Sequence, residues 1–222
     1  MRALIVKPHR LSEPGTIGEE AGRRGFQLVE HVASEDGPLP SLADFDAAIV
    51  MGSPWSVRSP EVAPWVDDLL GLLRDAVDAE VPVLGVCFGA QAFAEALGGK
   101  VFRASGTEVG WRSVESLAPA QVPEGPWFMW HSDTFTLPDG AELLARTRIS
   151  PQAYRLGPHL LVQFHPEVTP PVVRAWLDHS DDDFRENGLD PEDSFAETVR
   201  RAEEARERAS ELFDRFLADA KL

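Results

Sequence analysis

The only cysteine of the chain, Cys87, has the sequence surroundings of a nucleophile. It lies in Gly85-Val86-Cys87-Phe88-Gly89, between an apolar run that predicts a buried strand and a segment that predicts a helix. A strand that turns directly into a helix at a nucleophile needs small residues two positions before and after it, and both are glycine here. Such a turn places the thiol at the N-terminus of the helix, where backbone N–H groups and the helix dipole favour a thiolate. A buried structural cysteine is the alternative, and the paired glycines favour the nucleophile.

A cysteine nucleophile needs a base, and the base needs an orienting partner. The apolar stretch Leu161–Phe164 ends at His165, and Glu167 follows two residues later. Residues i and i+2 of an extended chain point the same way, so Glu167 is expected to hydrogen-bond one imidazole nitrogen while the other faces the thiol. A lone histidine at a strand end is more often structural. The order Cys, His, Glu is more specific, because an α/β-hydrolase places its acid between the nucleophile and the histidine.

The elements that must position these residues alternate along the first hundred residues. The apolar runs that predict strands are Ala3–Val6, Phe26–Val32, Asp46–Met51 and Pro82–Val86. The segments that predict helices are Gly15–Gly25, Pro60–Ala79 and Phe88–Leu97. This alternation predicts an α/β fold with a doubly wound, mostly parallel sheet flanked by helices.

The second half of the chain changes character. Short apolar segments separated by Gly, Pro and Asp predict antiparallel or mixed strands added to the sheet edge: Val101–Phe102, Trp111–Val114, Trp127–Trp130, Leu143–Leu144, Gln152–Leu156 and Leu160–Phe164. Pro191–Leu217 is predicted as a helix, with an apolar stripe that includes Phe195, Val199, Phe213 and Phe216. We therefore expect a main domain over residues 1–180. Residues 181–222 are expected to form an acidic helical extension, packed on the same domain or on the second subunit of a homodimer.

Charge and composition exclude several function classes. The formal net charge of −16 argues against nucleic acid or an anionic membrane surface as a partner. From residue 178 onward there are 15 acidic and 7 basic residues, which we interpret as a solvated helix face. No apolar run is long enough to cross a membrane, and the first residues resemble a buried strand more than a signal peptide. A single cysteine cannot form an internal disulfide, which fits a cytoplasmic location.

Together the motifs resemble those of the class I glutamine amidotransferases. Gly85–Gln91 (Gly-Val-Cys-Phe-Gly-Ala-Gln) and Gln163–Glu167 (Gln-Phe-His-Pro-Glu) are similar to the family's two main motifs, and Met51–Val57 resembles its oxyanion loop. The similarity runs from Met1 to about Trp176 and is greatest with stand-alone, GMP synthase-like amidotransferases. Three further segments recur in that subgroup: Glu108–Trp111, Trp130–Phe135 and Gln152–Arg155.

The resemblance implies a function and a set of roles. Cys87 would attack the glutamine carboxamide to give a γ-glutamyl thioester, His165 would relay protons, and Glu167 would hold His165. The backbone N–H groups of Ser53 and Phe88 would form the oxyanion hole. The remaining residues that it places near bound glutamine are Gly52, Gln91, His131, Ser132 and Asp133. The ammonia would pass to an acceptor synthetase that the sequence does not identify, and no cofactor is implied.

Three features depart from the family pattern or invite another interpretation. Ala90 stands where many members have a histidine outside the triad. Ser53 replaces a second loop glycine, which would hinder a flip of the loop through positive φ and puts constitutive activity in question. A metal site at His131 and Asp133 is disfavoured, because no third ligand has suitable spacing.

Two other functions remain as alternatives. A γ-glutamyl peptidase or hydrolase would use the same Cys87 thioester and release an amine or peptide. The absence of a synthetase domain in this sequence keeps that interpretation open. A non-catalytic regulatory or scaffolding subunit is disfavoured by the intact triad, and a cysteine peptidase with a similar elbow is weaker still, since that class often has histidine at the position of Phe88.

Overall fold

The computed structural model describes residues 1–222 as an α/β domain with a C-terminal helix. The ten strands are β1 (Arg2–Lys7), β2 (Gln27–Val32), β3 (Ala47–Val50), β4 (Val83–Val86), β5 (Val101–Ser113), β6 (Glu115–Ser116), β7 (Pro126–Phe135), β8 (Glu142–Arg146), β9 (Pro151–Leu156) and β10 (His159–Val162). The six α-helices are α1 (Gly15–Arg23), α2 (Val66–Asp78), α3 (Phe88–Ala96), α4 (Pro170–His179), α5 (Asp182–Glu186) and α6 (Pro191–Ala220).

The central sheet has eight strands in the order β2-β1-β3-β4-β10-β9-β8-β6. The first five run parallel, and β9, β8 and β6 extend the sheet in antiparallel pairing. Strands β3, β4 and β10 are buried along their whole length, as expected for parallel strands covered on both faces. The predicted fold class is confirmed, and the carboxyl ends of β4 and β10 meet at one sheet edge.

Alternate residues of each central strand pack into two separate hydrophobic layers. Ile5 and Ile49 face the layer that contains helices α1 and α6, through Ile17 and Phe213. The opposite layer contains helices α2 and α3 and takes the other residues of the same strands, such as Val6 and Val50. The sheet is therefore doubly wound, with the final helix as part of its cover.

Helix α2 is shorter than the spacing of its apolar residues predicts. The sequence indicated a helix over Pro60–Ala79, but residues 60–65 form successive turns and the helix begins at Val66. Pro64 has no N–H to continue a helical ladder, which explains the late start. Val62 and Trp65 are still buried, so the turns supply the apolar contacts that the pattern predicted for a helix.

The second half of the chain differs from the prediction in its strand pairing and in two additional helices. Residues of β5 and β7 pair with each other in a separate two-stranded antiparallel sheet, not at the edge of the central sheet. A register shift between Arg103 and Glu108 marks a bulge in β5. This sheet packs through Val109 and Phe128 against α4 and α5, two helices that the sequence analysis did not predict. The bulge and the two helices lie beside the candidate site.

The long helix α6 confirms the predicted C-terminal helix. Asp190 caps it by accepting hydrogen bonds from the N–H groups of Glu192 and Asp193, and Pro191 occupies its first turn. Most of the predicted apolar stripe is buried against the same chain, although Val199 is half exposed. No helix in the 222 residues combines the length and apolarity needed to span a bilayer.

Candidate active site

Cys87 lies at a strained turn between β4 and α3. Its φ of 50° and ψ of −102° are unusual for a residue other than glycine, and strain of this kind is characteristic of functional sites. A Cβ on Gly89 would lie 2.2 Å from the Val50 carbonyl oxygen, and one on Gly85 would lie 2.9 Å from the Gly89 backbone. Both flanking glycines are therefore required by close backbone packing, as the elbow interpretation predicted.

His165 and Glu167 form a buried hydrogen-bonded pair. The His165 Nδ1 atom lies 2.7 Å from Glu167 Oε1, and both side chains are almost fully buried. The chain leaves β10 at Val162, and the strand does not continue to Glu167 as the sequence suggested: a bend follows β10, His165 forms an isolated bridge with Phe128, and Glu167 lies in a turn. The His165 N–H donates to the Phe128 carbonyl oxygen at 2.8 Å, which anchors the bend to β7.

The protonated form of His165 is favoured by its neighbours. Burial of the ring lowers the pKa of His165, but the Glu167 carboxylate and the Cys87 sulfur outweigh this effect and raise it from 6.5 to about 10. Nδ1 is paired with Glu167, and the ring lies close enough to Cys87 for the sulfur to favour its charged form. The imidazole thus lies between a carboxylate and a sulfur, the arrangement that a proton relay requires.

The backbone of Glu167 is fixed by the start of helix α1. The Thr16 N–H donates to the Glu167 carbonyl oxygen at 2.9 Å. A Cβ on Gly15 would lie 2.0 Å from that same oxygen, and Gly15 has a φ of 42°. Only glycine fits this contact, so residues far away in sequence determine the position of the carboxylate.

The loop after β3 lies directly against the sulfur and the imidazole. A Cβ on Gly52 would be 2.9 Å from His165 Cε1 and 3.6 Å from the Cys87 Cβ. Ser12 Oγ donates to the Gly52 carbonyl oxygen at 2.7 Å. A trans peptide directs its N–H away from its carbonyl, so the Ser53 N–H points away from Ser12. Neither Gly52 nor Ser53 has a positive φ, so this loop geometry does not require glycine at position 53.

Two buried amide side chains lie on another side of the sulfur. Gln163 Nε2 donates to Cys87 Sγ at 3.3 Å, and Gln91 Nε2 donates to Gln163 Oε1 at 3.0 Å. Gln91 Nε2 also lies 3.5 Å from the Asp133 carbonyl oxygen. The chain thus surrounds the sulfur with an imidazole and an amide donor.

The segment His131–Asp133 contributes to the site in different ways. His131 is buried, with Nδ1 at 3.0 Å from the Asp133 carbonyl oxygen and Nε2 at 3.3 Å from Glu108 Oε2. Gln152 also donates to that Glu108 oxygen, at 2.8 Å. His131 is therefore held in a wall of polar side chains, whereas the Asp133 carboxylate is partly exposed and faces Arg103 at 3.9 Å.

A single cavity of about 390 Å³ brings the predicted residues together. All ten candidate residues line it: Gly52, Ser53, Cys87, Phe88, Gln91, His131, Ser132, Asp133, His165 and Glu167. Pro54, Trp55, Ser56 and Trp130, which belong to motifs noted in the sequence, also line it, together with residues that the sequence did not indicate: Leu11, Ser12, Arg103, Trp176, His179, Ser180 and Asp183. Its volume is in the range of small-molecule sites.

Several of the missed residues come from segments with no recognisable motif. Trp176 packs edge-on to His165 at 5.0 Å between ring centroids, and its Nε1 donates to the Leu11 carbonyl oxygen. Asp183 accepts a hydrogen bond of 2.7 Å from Nε1 of Trp130, which attaches α5 to the cavity wall. The signal for Gln163 was present, because it lies within the histidine motif. Ser12 and Asp183 had none.

The residues described do not provide a metal site. No group of three or more His, Cys, Asp or Glu side chains has an arrangement that could hold an ion. His131 faces Glu108 and Gln152, and its ring is already engaged at both nitrogens.

The site thus combines a cysteine at a strand–helix turn with a histidine–glutamate pair on an α/β sheet. The family model for class I glutamine amidotransferases matches residues 23–176. That is more than half of the chain, and the chain belongs to this family.

Two kinds of curated protein are among its relatives. The chain is 36% identical over 130 residues to the glutamine-hydrolysing GMP synthase of Thermomicrobium roseum. The aligned region covers 54% of this chain and 23% of that protein. It is 29% identical over 194 residues to the glutamine amidotransferase-like protein YfeJ of Salmonella typhimurium, with 81% of each covered. The chain thus spans about a quarter of the GMP synthase and most of YfeJ.

Solved structures share the whole fold, including the C-terminal helix. A glutamine amidotransferase from Methylobacillus flagellatus superposes with a TM-score of 0.86 and 28% sequence identity. The superposition covers 98% of this chain and 94% of that one. A glutamine amidotransferase from Thermotoga maritima has a TM-score of 0.88 over 98% of both chains, and at 22% identity it supports the fold alone.

Proposed function

We propose that the chain hydrolyses the side-chain amide of glutamine to glutamate and ammonia through a thioester at Cys87. The observation that carries this proposal is the contact of Cys87 with His165, which is itself bonded to Glu167 at 2.7 Å, inside a cavity. Family membership gives the reaction class, and the geometry supports the proposed roles.

The steps follow from the positions of the groups. The Cys87 sulfur attacks the carboxamide carbon, and the carbonyl oxygen takes up negative charge. The N–H of Phe88, in the first turn of α3, has no partner within its helix and is available to that oxygen together with the Ser53 N–H. His165 gives its proton to the leaving ammonia, and the γ-glutamyl thioester remains. His165 then takes a proton from water, which cleaves the thioester and releases glutamate.

The ammonia would pass to an acceptor enzyme; the GMP synthases to which the chain is similar are themselves glutamine-hydrolysing. The acceptor would dock where the cavity opens, and its identity is a separate question from the hydrolysis.

A second candidate, hydrolysis of γ-glutamyl amides or peptides, is favoured by the cavity wall. Trp130, Trp176, His179 and Asp183 extend the wall beyond the triad and offer aromatic and polar surface to a leaving group larger than ammonia. The chemistry at Cys87 would be the same.

The test combines one label, two variants of the proposed catalytic residues and one control variant. A glutamine-like chloroketone should modify Cys87 stoichiometrically, and Cys87→Ser should abolish ammonia release while the fold persists. His165→Ala should reduce activity by about a hundredfold or more, with His31→Ala, a buried histidine outside the cavity, as a matched control. Labelling at another residue, or more than about a tenth of the activity in His165→Ala, would refute the mechanism. Faster cleavage of γ-glutamyl peptides than of glutamine would favour the second candidate.

A further inference from the structure

Gln163 is a fully buried amide that the proposed mechanism does not use. It follows β10 directly, two residues before His165, and its Nε2 lies 3.3 Å from Cys87 Sγ. Burial of an amide costs free energy unless its polar atoms are paired, and both ends of this one are paired. The sulfur is one of the two partners.

Gln91 determines which end of the Gln163 amide faces the sulfur. Gln91 Nε2 lies between two acceptors, Gln163 Oε1 at 3.0 Å and the Asp133 carbonyl oxygen at 3.5 Å. With its oxygen committed to Gln91, Gln163 must present its NH₂ group to Cys87. The amide therefore acts toward the sulfur as a hydrogen-bond donor.

We propose that Gln163 is a further catalytic residue, whose amide N–H stabilises the thiolate of Cys87, and that Gln91 is the positioning residue that orients it. The inference rests on the proposed role of Cys87 as nucleophile. His165 supplies a charged donor to the sulfur and Gln163 a neutral one. Since a side-chain amide does not ionise at neutral pH, Gln163 supports the negative charge without competing with His165 as the base.

This arrangement gives Gln91 a role beyond contact with the substrate. Its amide nitrogen is directed at the Gln163 and Asp133 oxygens, and only its oxygen is left to face the cavity. A substitution at Gln91 should therefore change the reactivity of the thiol even toward a reagent with no amino-acid portion. A residue that only binds glutamine would have no such effect.

Iodoacetamide alkylation of the full chain, measured against pH, tests the proposal. In Gln163→Met, which keeps an unbranched side chain and removes the donor, the pH midpoint of the alkylation rate should rise by about one unit, as expected for loss of one hydrogen bond to a charged group. Gln91→Leu should shift the midpoint in the same direction by less. Gln152→Met removes another fully buried amide that does not contact the sulfur, and should leave the midpoint unchanged.

The outcomes distinguish the proposed role of Gln163 from the proposed function of Cys87. A folded Gln163→Met protein with the wild-type midpoint overturns the role of Gln163. If that variant does not fold, the isosteric Gln163→Glu replaces it; a carboxylate beside the sulfur should raise the midpoint, and an unchanged profile overturns the proposal. Failure of both iodoacetamide and the chloroketone to label Cys87 in the wild type would instead refute the proposed function.

Discussion

Ser12 Oγ donates a 2.7 Å hydrogen bond to the carbonyl oxygen of Gly52, and this bond fixes the peptide that precedes Ser53. Ser12 lies between β1 and α1, whereas Gly52 belongs to the loop after β3. The hydroxyl thus holds the proposed oxyanion loop in one orientation from a neighbouring loop of the sheet edge.

Replacement of Ser12 should weaken catalysis more than stability. In Ser12→Ala the Gly52–Ser53 peptide loses its anchor, and we expect kcat for glutamine to fall about tenfold, the value of one hydrogen bond of roughly 1.4 kcal/mol. Ser116→Ala removes a similar hydroxyl-to-carbonyl bond, to Val122 at 2.9 Å and away from the cavity, and should leave kcat unchanged. Steady-state ammonia release compares the two, and equal kcat values would contradict the role of the loop anchor.

The nucleophile elbow should not tolerate a methyl group at position 89. Gly89→Ala would bring a Cβ to 2.2 Å from the Val50 carbonyl oxygen, and we expect a loss of about 1–3 kcal/mol in the free energy of unfolding. Gly22→Ala is the matched control, because Gly22 lies in α1 with no atom within 4 Å of the added Cβ. That control should gain about 0.5–1 kcal/mol from helix propensity. Urea denaturation measures both, and a stable Gly89→Ala protein would show that the elbow can relax.

The titration of His165 should be displaced far toward alkaline pH. NMR of the imidazole should give a midpoint near the pKa of about 10 in the wild type, and a lower value in Glu167→Gln, which loses the charge of the partner. Because the folded-state pKa lies above the ordinary 6.5, the ring's own contribution to stability is complete below about pH 6.5 and is lost as pH rises through about 10.

His159 is an internal control for this measurement. It is buried without a charged partner, which lowers its pKa to about 4, and it should remain neutral throughout the same range. A His165 midpoint at or below 6.5 would show that Glu167 and Cys87 do not stabilise the imidazolium.

The C-terminal helix should contribute to stability and not to chemistry. Phe213 is buried in the same layer as α1, and Phe213→Ala should cost about 3–5 kcal/mol, whereas Val199→Ala at a half-exposed position should cost little. Truncation before Pro191 should lower the melting temperature strongly. Any activity that survives in the truncated protein should keep its substrate preference. The homodimer stays a prediction, and light scattering of the same proteins would test it.

The domain division at residue 180 also stays a prediction. His179, Ser180 and Asp183 lie on both sides of that boundary and line the same cavity as Cys87. A truncation at residue 180 would therefore remove part of the cavity wall, whereas one before Pro191 leaves it in place.

The sequence predicted those parts of the molecule that depend on local patterns. The strands of the central sheet and the glycines around Cys87 follow from apolar periodicity and from the sterics of a tight turn. The separate pairing of β5 with β7 could not be predicted, because short apolar runs do not specify their partners.

The site was predictable only to the extent that its chemistry is contained in motifs. Cys87, His165 and Glu167 carry recognisable spacing, but Ser12 and Asp183 enter the cavity through tertiary contacts between segments far apart in sequence. The late start of α2 has a local cause in Pro64, which an apolar count overlooks.

The close approach of Gly15 to Glu167 would affect the interpretation of mutational data for this protein. In a saturation mutagenesis screen scored by growth or turnover, position 15 should be as intolerant as the triad itself, although its own atoms take part in no reaction. Any side chain there would displace the backbone that holds the glutamate, 2.0 Å being far inside contact distance. A search for functional residues based on such data would assign a chemical role to the first turn of α1, although that turn only fixes the position of Glu167.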